Sequence, residues 1–186
     1  MSSTAEALFG NKPSIERKEA REGFSVSYQI DYKELNFGRE LGRGGFGVVH
    51  QGTWRKHTDV AIKQLLSDAI SAEANEEFDT ESQVMARLRS PHIVQFYGYC
   101  LNPRHCIVME YMPNGSLYSV LKNIKQPLDW TIRVRIAIDM ACGLAFLHQE
   151  HIVHRDIKSL NVLLDQSYRA KLTDFGLSKV KIETKS

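Results

Sequence analysis

At 186 residues the chain is long enough for one domain, or for one large lobe and a small one. Its composition, 42% hydrophobic and 25% charged, is globular and excludes a disordered or fibrous chain. A formal net charge of +2 gives no bulk attraction to nucleic acid or to a membrane surface.

In chain order, residues 1–34 are polar and mixed in charge and read as a leader or linker, partly disordered, with a short strand over Val26–Ile30. Residues 1–24 hold no apolar core behind a basic start, so they are not a secretory signal. From Leu35 the texture changes. "LNFGRELGRGGFGVVHQGTW" has two apolar stretches around a glycine cluster and predicts a hairpin. "DVAIKQL" is a compact β-type run. "SAEANEEFDTESQVMARLRS" has helical spacing, with Phe78, Met85 and Leu88 on one face. "HIVQFYGYC" and "HCIVMEYM" read as strands joined by the turn "LNPR". "GSLYSVLKNI" predicts a short helix, and "LDWTIRVRIAIDMACGLAFLHQEH" a long one with Ile132, Ile136, Met140, Leu144 and Leu147 in its stripe. Short strand and loop pieces follow: "IVHRD", "NVLLD" and "AKLTD". Mostly strands, then mostly helix, suggests two lobes of an α+β fold rather than a repeating βαβ sheet.

No stretch approaches the ~20 apolar residues of a bilayer span. The most apolar region, 130–147, is interrupted by Arg133, Arg135 and Asp139. The three cysteines, Cys100, Cys106 and Cys142, are odd in number and lack metal-type spacing. A reduced compartment fits, with all three as small buried apolar groups. The chain is therefore expected to be soluble and cytoplasmic.

Three features carry chemistry. Gly42, Gly44 and Gly47 form G-x-G-x-x-G. A dinucleotide fold would open a helix there, but Val48, Val49 and His50 favour a strand, and no Lys-Ser/Thr follows as in Walker A. Taken alone, the glycines suit a flexible hairpin tip as well as a turn whose N–H groups approach phosphates. Lys63 ends the run Val60-Ala61-Ile62-Lys63. Glu81 lies three residues after Phe78 and four before Met85, so it points to the apolar face, or to the edge of a wide stripe. A carboxylate aimed at a core needs a cation, and Lys63 is the natural candidate. Glu76, Glu77 and Asp79 lie off the stripe and read as solvated. Finally, "HRDIKSLN" and "TDFG" bring His154, Arg155, Asp156, Lys158, Asn161 and Asp174. Asn161 and Asp174 offer oxygen ligands that suit Mg²⁺. Asp156 can accept a proton from an attacking hydroxyl, and Lys158 puts a positive charge beside a transferring phosphate.

Together and in this order, these motifs resemble a protein kinase of the tyrosine kinase-like group, which includes receptor-like, Raf-type and mixed-lineage kinases. "GRGGFGVV" resembles the nucleotide loop, "VAIK" the third-strand motif, "HRDIKSLN" the catalytic loop and "DFG" the metal loop. The resemblance covers residues 35–186 and implies a bilobal fold, with an N-lobe over 35–112 and a C-lobe from 113. It implies ATP and Mg²⁺ as cofactors and a protein as substrate. Lys63 would contact the α- and β-phosphates and pair with Glu81. The backbone of Leu41, Gly42, Arg43, Gly44, Gly45, Phe46, Gly47, Val48 and Val49 would cover the phosphates. Asp156 would orient the acceptor hydroxyl, with Lys158 beside it, and Asn161 and Asp174 would hold Mg²⁺. Met109 stands at the gatekeeper position, with Glu110 to Met112 as the hinge, and Val49, Ala61 and Leu163 would sandwich adenine. Met85, Phe96, His154 and Phe175 would stack as the column of the active state. Lys158 resembles Ser/Thr kinases, whereas tyrosine kinases usually carry an Ala-Ala-Arg type segment there.

The resemblance also implies more chain after Gly176: the rest of an activation segment, an Ala-Pro-Glu element and further helices. The expectation is thus a complete N-lobe with a truncated C-lobe. It leaves open a catalytically silent nucleotide-binding or scaffolding module. Several hundred Å² of bare apolar stripe on the 130–147 helix would cost on the order of 10 kcal/mol at ~25 cal/mol per Å² and invite a covering protein partner. Ser178, Thr184 and Ser186 read as phosphorylation candidates or plain exposed hydroxyls.

Overall fold

A computed structural model describes residues 28–44, 47–65, 72–123, 125, 127–175 and 179–180, with only the backbone at 72–77, 80 and 179–180. A five-stranded antiparallel sheet comes first. Its strands are β1 (Leu35–Arg43), β2 (Gly47–Trp54), β3 (Thr58–Leu65), β4 (Phe96–Cys100) and β5 (Cys106–Glu110), in the order β1-β2-β3-β5-β4. Helix α1 (Ala72–Arg87) joins β3 to β4 and packs on β4. Then come α2 (Leu117–Lys122), α3 (Trp130–Gln149) and two small ladders. One pairs β6 (Ile152–Val153) with β9 (Lys179–Val180), the other β7 (Val162–Leu164) with β8 (Ala170–Leu172). Among the described residues no helix is long and apolar enough to cross a membrane.

The sheet register explains which side chains can reach a site. Directly opposed residues share a face. Val49 opposes Lys63, and Ala61 opposes Met109, so these four lie on the face toward α1. Val48 opposes Gln64, and Val60 opposes Glu110, on the other face. That outer face has its own apolar cluster of Ile30, Leu35, Val60, Ile62, Cys100, Cys106 and Val108. Apolar contacts on both faces are why "DVAIKQL" reads as a continuous run rather than an alternation. Gly52 marks a close crossing of β1 and β2: an added Cβ would stand 2.4 Å from the Asn36 carbonyl oxygen and 2.7 Å from Ile62 Cδ1. Gly52→Ala is expected to cost about 1–3 kcal/mol through overpacking, read as a lower urea midpoint at unchanged m. An unchanged midpoint would contradict this crossing.

Residues 28–34, read from sequence as the end of the leader, pack on the sheet edge. Ile30 is buried, its amide donates to the Tyr99 carbonyl at 2.8 Å, and the Tyr99 amide donates to the Tyr28 carbonyl at 2.9 Å. Gln29 pairs with Tyr99 in a bridge, while Val26 and Ser27 of the expected strand lie outside the described residues.

Helix α3 starts at Asp129, whose carboxylate accepts from the Thr131 amide at 2.8 Å. Its inward face is the expected stripe with two additions. Ile136 and Leu147 are buried and Ile132, Met140 and Leu144 half-buried against the main core, but Asp139 and Gly143 face inward as well. The stripe is therefore not bare: β6 and β8 cover it. A different face of α3 is exposed, carrying Trp130 (73%), Val134 and Ile138. Cys100 and Cys106 are buried opposite each other, and burial pushes their thiols up to about 11 and about 12. Cys142 is exposed, against the expectation, because it falls on the outer side of α3.

Candidate active site

Between the sheet and the segments that follow it lies a cavity of about 510 Å³, within the usual range for ligand sites. Of the predicted residues, Leu41, Gly42, Val49, Ala61, Lys63, Glu81, Met109, Met112, Leu163, Asn161 and Asp174 line it. The sheet supplies its roof, Met109 and Tyr111 to Ser116 one side, and β7 and the approach to Asp174 its floor.

The charged centre is built from three elements. Lys63 on β3 donates to Glu81 Oε2 on α1 at 2.6 Å, and Asp174 Oδ1 lies 3.6 Å from the same ammonium. Glu81 is 4% exposed and Lys63 22%, so the pair is largely withdrawn from water. Burial alone would push the Lys63 pKa down. The charges of Glu81 and Asp174 outweigh it and hold the ammonium above the ordinary lysine range. Asp174 sits at φ +68°, in the left-handed region, which turns the chain at the end of the β8 segment.

A second cluster adjoins it. Asn161 donates through Nδ2 to both the backbone oxygen and Oδ2 of Asp156, each at 2.9 Å. Lys158 Nζ reaches Asp156 Oδ2 at 2.6 Å. The Lys158 hydrogen bond leads in keeping the Asp156 carboxyl below its ordinary pKa, and Asn161 adds to it. His154 accepts at Nδ1 from the Asp156 amide (3.4 Å) and donates from Nε2 to the Thr173 carbonyl (2.9 Å). Thr173 in turn donates its amide to the Asn161 carbonyl at 3.1 Å. The loop of Asp156 and Asn161 is thus tied to the residue before Asp174. The column of Met85, Phe96, His154 and Phe175 is buried throughout, with His154 and Phe175 rings 5.0 Å apart.

The donor set fits a hard divalent cation. With its amide N–H groups committed to Asp156, Asn161 has Oδ1 left as a ligand atom, and Asn161 and Asp174 both line the cavity. Two protein oxygens suit Mg²⁺, which keeps several waters or phosphate oxygens.

Other predicted positions take different places. Val48 is buried on the outer face of the sheet, since its neighbour Val49 points to the cavity. Glu110 also turns away: its carboxylate accepts from Lys171 Nζ at 2.7 and 2.8 Å and from the Gln95 amide at 3.2 Å. Its side chain does not line the cavity, and only its backbone is left for the expected hinge. Arg43, Gly44 and Gly47 lie outside the lining, and Arg43 is engaged by Glu40 at 2.7 and 3.2 Å. Asp156 and Lys158 also lie outside the lining and join it through Asn161. Gly45, Phe46, Gly176, Ser178, Thr184 and Ser186 lie outside the described residues, as do the side chains of Glu76 and Glu77. Arg39 lines the cavity unpredicted, and its Nη2 donates to the hydroxyl of the hinge residue Tyr111 at 3.3 Å.

Residues 35–186 match the family model described as protein tyrosine and serine/threonine kinase. The chain belongs to the protein kinase family. It is 44% identical over 169 residues to an Acanthamoeba polyphaga mimivirus protein named as a serine/threonine-protein kinase/receptor, covering 89% of this chain and 10% of that protein. It is 43% identical to "Probable serine/threonine-protein kinase drkB" of Dictyostelium discoideum, over 82% of this chain and 22% of the relative. It is 46% identical to "Probable serine/threonine-protein kinase PBL28" of Arabidopsis thaliana, over 78% and 41%. The chain thus spans less than half the length of each of these relatives. The kinase family uses ATP and Mg²⁺ generally.

Acid should act on the fold through Asp156 and the buried Asp139. Burial raises the Asp139 pKa, but Arg169 and the Ala170 amide outweigh it, so the net direction is down, as for Asp156. Carboxyls lowered in the folded state stabilise it fully above the ordinary value of ~4, and the contribution is lost as pH falls through the lowered values. Urea unfolding from pH 7 to pH 3 should show a stability plateau followed by a fall below about pH 4, and Asp139→Asn should flatten part of that fall. An identical acid slope in the variant would contradict the assignment.

Proposed function

We propose that this kinase domain serves ATP- and Mg²⁺-dependent transfer of the γ-phosphoryl group to protein Ser/Thr hydroxyls. The observation that carries the reading is the convergence of Lys63, Glu81, Asn161 and Asp174 on one cavity. Glu81 holds the Lys63 ammonium in place to meet phosphate oxygens. Val49, Ala61, Met109 and Leu163 offer apolar surface to a base. Asn161 and Asp174 would hold Mg²⁺, which when bound neutralises charge on phosphate oxygens. Asp156, kept ionised by Lys158 and Asn161, accepts the hydrogen bond of the incoming hydroxyl and orients it. Lys158 and the names of the relatives support Ser/Thr over Tyr. ATP and Mg²⁺ are plentiful inside cells, so the reading carries an intracellular location with it.

A second reading, a nucleotide-binding or scaffolding module without transfer, draws on the exposed apolar face of Trp130, Val134 and Ile138. One assay separates the two. Labelled γ-phosphate from ATP is offered to mixed peptides, and the acceptor residue is identified. Mg²⁺-dependent label on Ser/Thr that Asp156→Asn abolishes supports the first reading. Wild type at the level of that variant, with nucleotide still bound, selects the second. Label on Tyr alone overturns the Ser/Thr assignment.

A further inference from the structure

Asp139 lies inside the protein on α3, at 1% exposure, and both oxygens of its carboxylate are engaged. Arg169 donates to it as a fork, Nε to Oδ2 at 2.9 Å and Nη2 to Oδ1 at 2.7 Å. The Ala170 amide donates to Oδ2 at 3.0 Å, and His92 Nδ1 lies 3.5 Å from Oδ1. One turn further along α3, Gly143 removes the side chain that would keep the helix away. An added Cβ would stand 3.0 Å from Leu172 Cδ1 and 3.1 Å from the His92 carbonyl oxygen.

Asp139 and Gly143 thus bring α3 against two segments at once. One is the stretch after α1 that contains His92; the other is β8, which runs into Asp174. These two are laced together by the Leu172 amide on the His92 carbonyl (2.9 Å) and the Val94 amide on the Leu172 carbonyl (3.0 Å). The first continues from the helix that carries Glu81. The second ends two residues before Asp174. Their joint therefore sets where the anchor of Lys63 stands relative to the metal-binding acid. A buried ion pair is an expensive way to pin a helix, because apolar residues of similar volume pack at no desolvation cost. What the forked Arg169 and the Ala170 amide add is direction, since they fix the start of β8 at one rotation and one height.

We infer that Asp139 is a positioning residue: through Arg169, Ala170 and His92 it holds Asp174 in register with the Glu81-bearing helix. The inference rests on the kinase reading of Lys63, Glu81 and Asp174. Nothing in it requires Asp139 to touch nucleotide or metal.

The test is calorimetric titration of ATP with and without Mg²⁺, on wild type, Asp139→Asn, Arg169→Ala and Ile136→Val. Ile136→Val trims the same buried face without touching the joint. In Asp139→Asn and Arg169→Ala, the gain in ATP affinity conferred by Mg²⁺ should fall by about tenfold or more, as when the support of a metal ligand is removed. Ile136→Val should lower Tm yet keep the wild-type gain. If Asp139→Asn does not fold, Arg169→Ala carries the test, because that side chain is half-exposed and outside the core. A Mg²⁺ gain within about twofold of wild type in the folded joint variants overturns the inference and leaves Asp139 a structural residue. A wild type with no Mg²⁺ gain overturns the kinase reading itself, and the inference falls with it.

Discussion

Asp174→Asn is expected to lower phosphoryl transfer by about 10²–10³ while leaving the fold intact. The reason is local. Asp174 occupies the left-handed region at φ +68°, which Asn tolerates at least as well as Asp. The amide also matches the carboxylate in shape. What disappears is one negative charge, on the residue that lines the cavity with Asn161 and stands 3.6 Å from Lys63. A hard cation loses its only anionic ligand of the pair, so the Mg²⁺-dependent part of nucleotide affinity should go with the rate. The check is the transfer assay paired with urea unfolding. A variant that keeps activity, or one that loses it only by unfolding, would contradict the metal role of Asp174.

Lys63→Met should be the most destabilising single change in the site, by about 3 kcal/mol or more. Glu81 is 4% exposed and lies 2.6 Å from the ammonium. Without the cation its carboxylate is left buried with its main countercharge gone, a cost far above that of losing a surface ion pair. The double variant Lys63→Met, Glu81→Leu should regain most of the loss, since an apolar pair of similar volume carries no desolvation penalty. Chemical denaturation of the two singles and the double measures the coupling directly. Two losses that simply add would mean that the pair contributes no coupling energy. Nucleotide binding should stay lost in the double variant even where stability returns, because no cation faces the phosphates.

Glu81 was legible from periodicity alone. It falls on the Phe78–Met85 stripe, and a carboxylate there demands a partner. Asp139 carries the same signal, three residues after the buried Ile136 and eight before Leu147, yet in the sequence it registers only as an interruption of an apolar region. Its partners, His92 and Arg169, are 47 and 30 residues away and carry no local mark. Strand alternation would have separated Val48 from Val49 and Glu110 from Met109, once the register across β2, β3 and β5 was known. The motif resemblance named those positions without their faces. The tie between Arg39 and Tyr111 spans 72 residues and depends on how β1 lies over the hinge, which no pattern along the chain encodes. The sheet itself was readable because its strands are bounded by glycine clusters and turns, and α3 because its stripe is long.

The central claim is that the cavity of Lys63, Glu81, Asn161 and Asp174 is a Mg²⁺–nucleotide site. Its most direct test is the thermal unfolding of the protein with ATP alone, Mg²⁺ alone and both together. Ligand at a hundredfold excess over its Kd adds about 2.7 kcal/mol, or roughly 5–10 °C in Tm for a chain of this size. The account predicts a rise of that order with both ligands, a smaller one with ATP alone, and none in Lys63→Met, Glu81→Leu. No rise at saturating ATP and Mg²⁺, or an equal rise in that double variant, would contradict it.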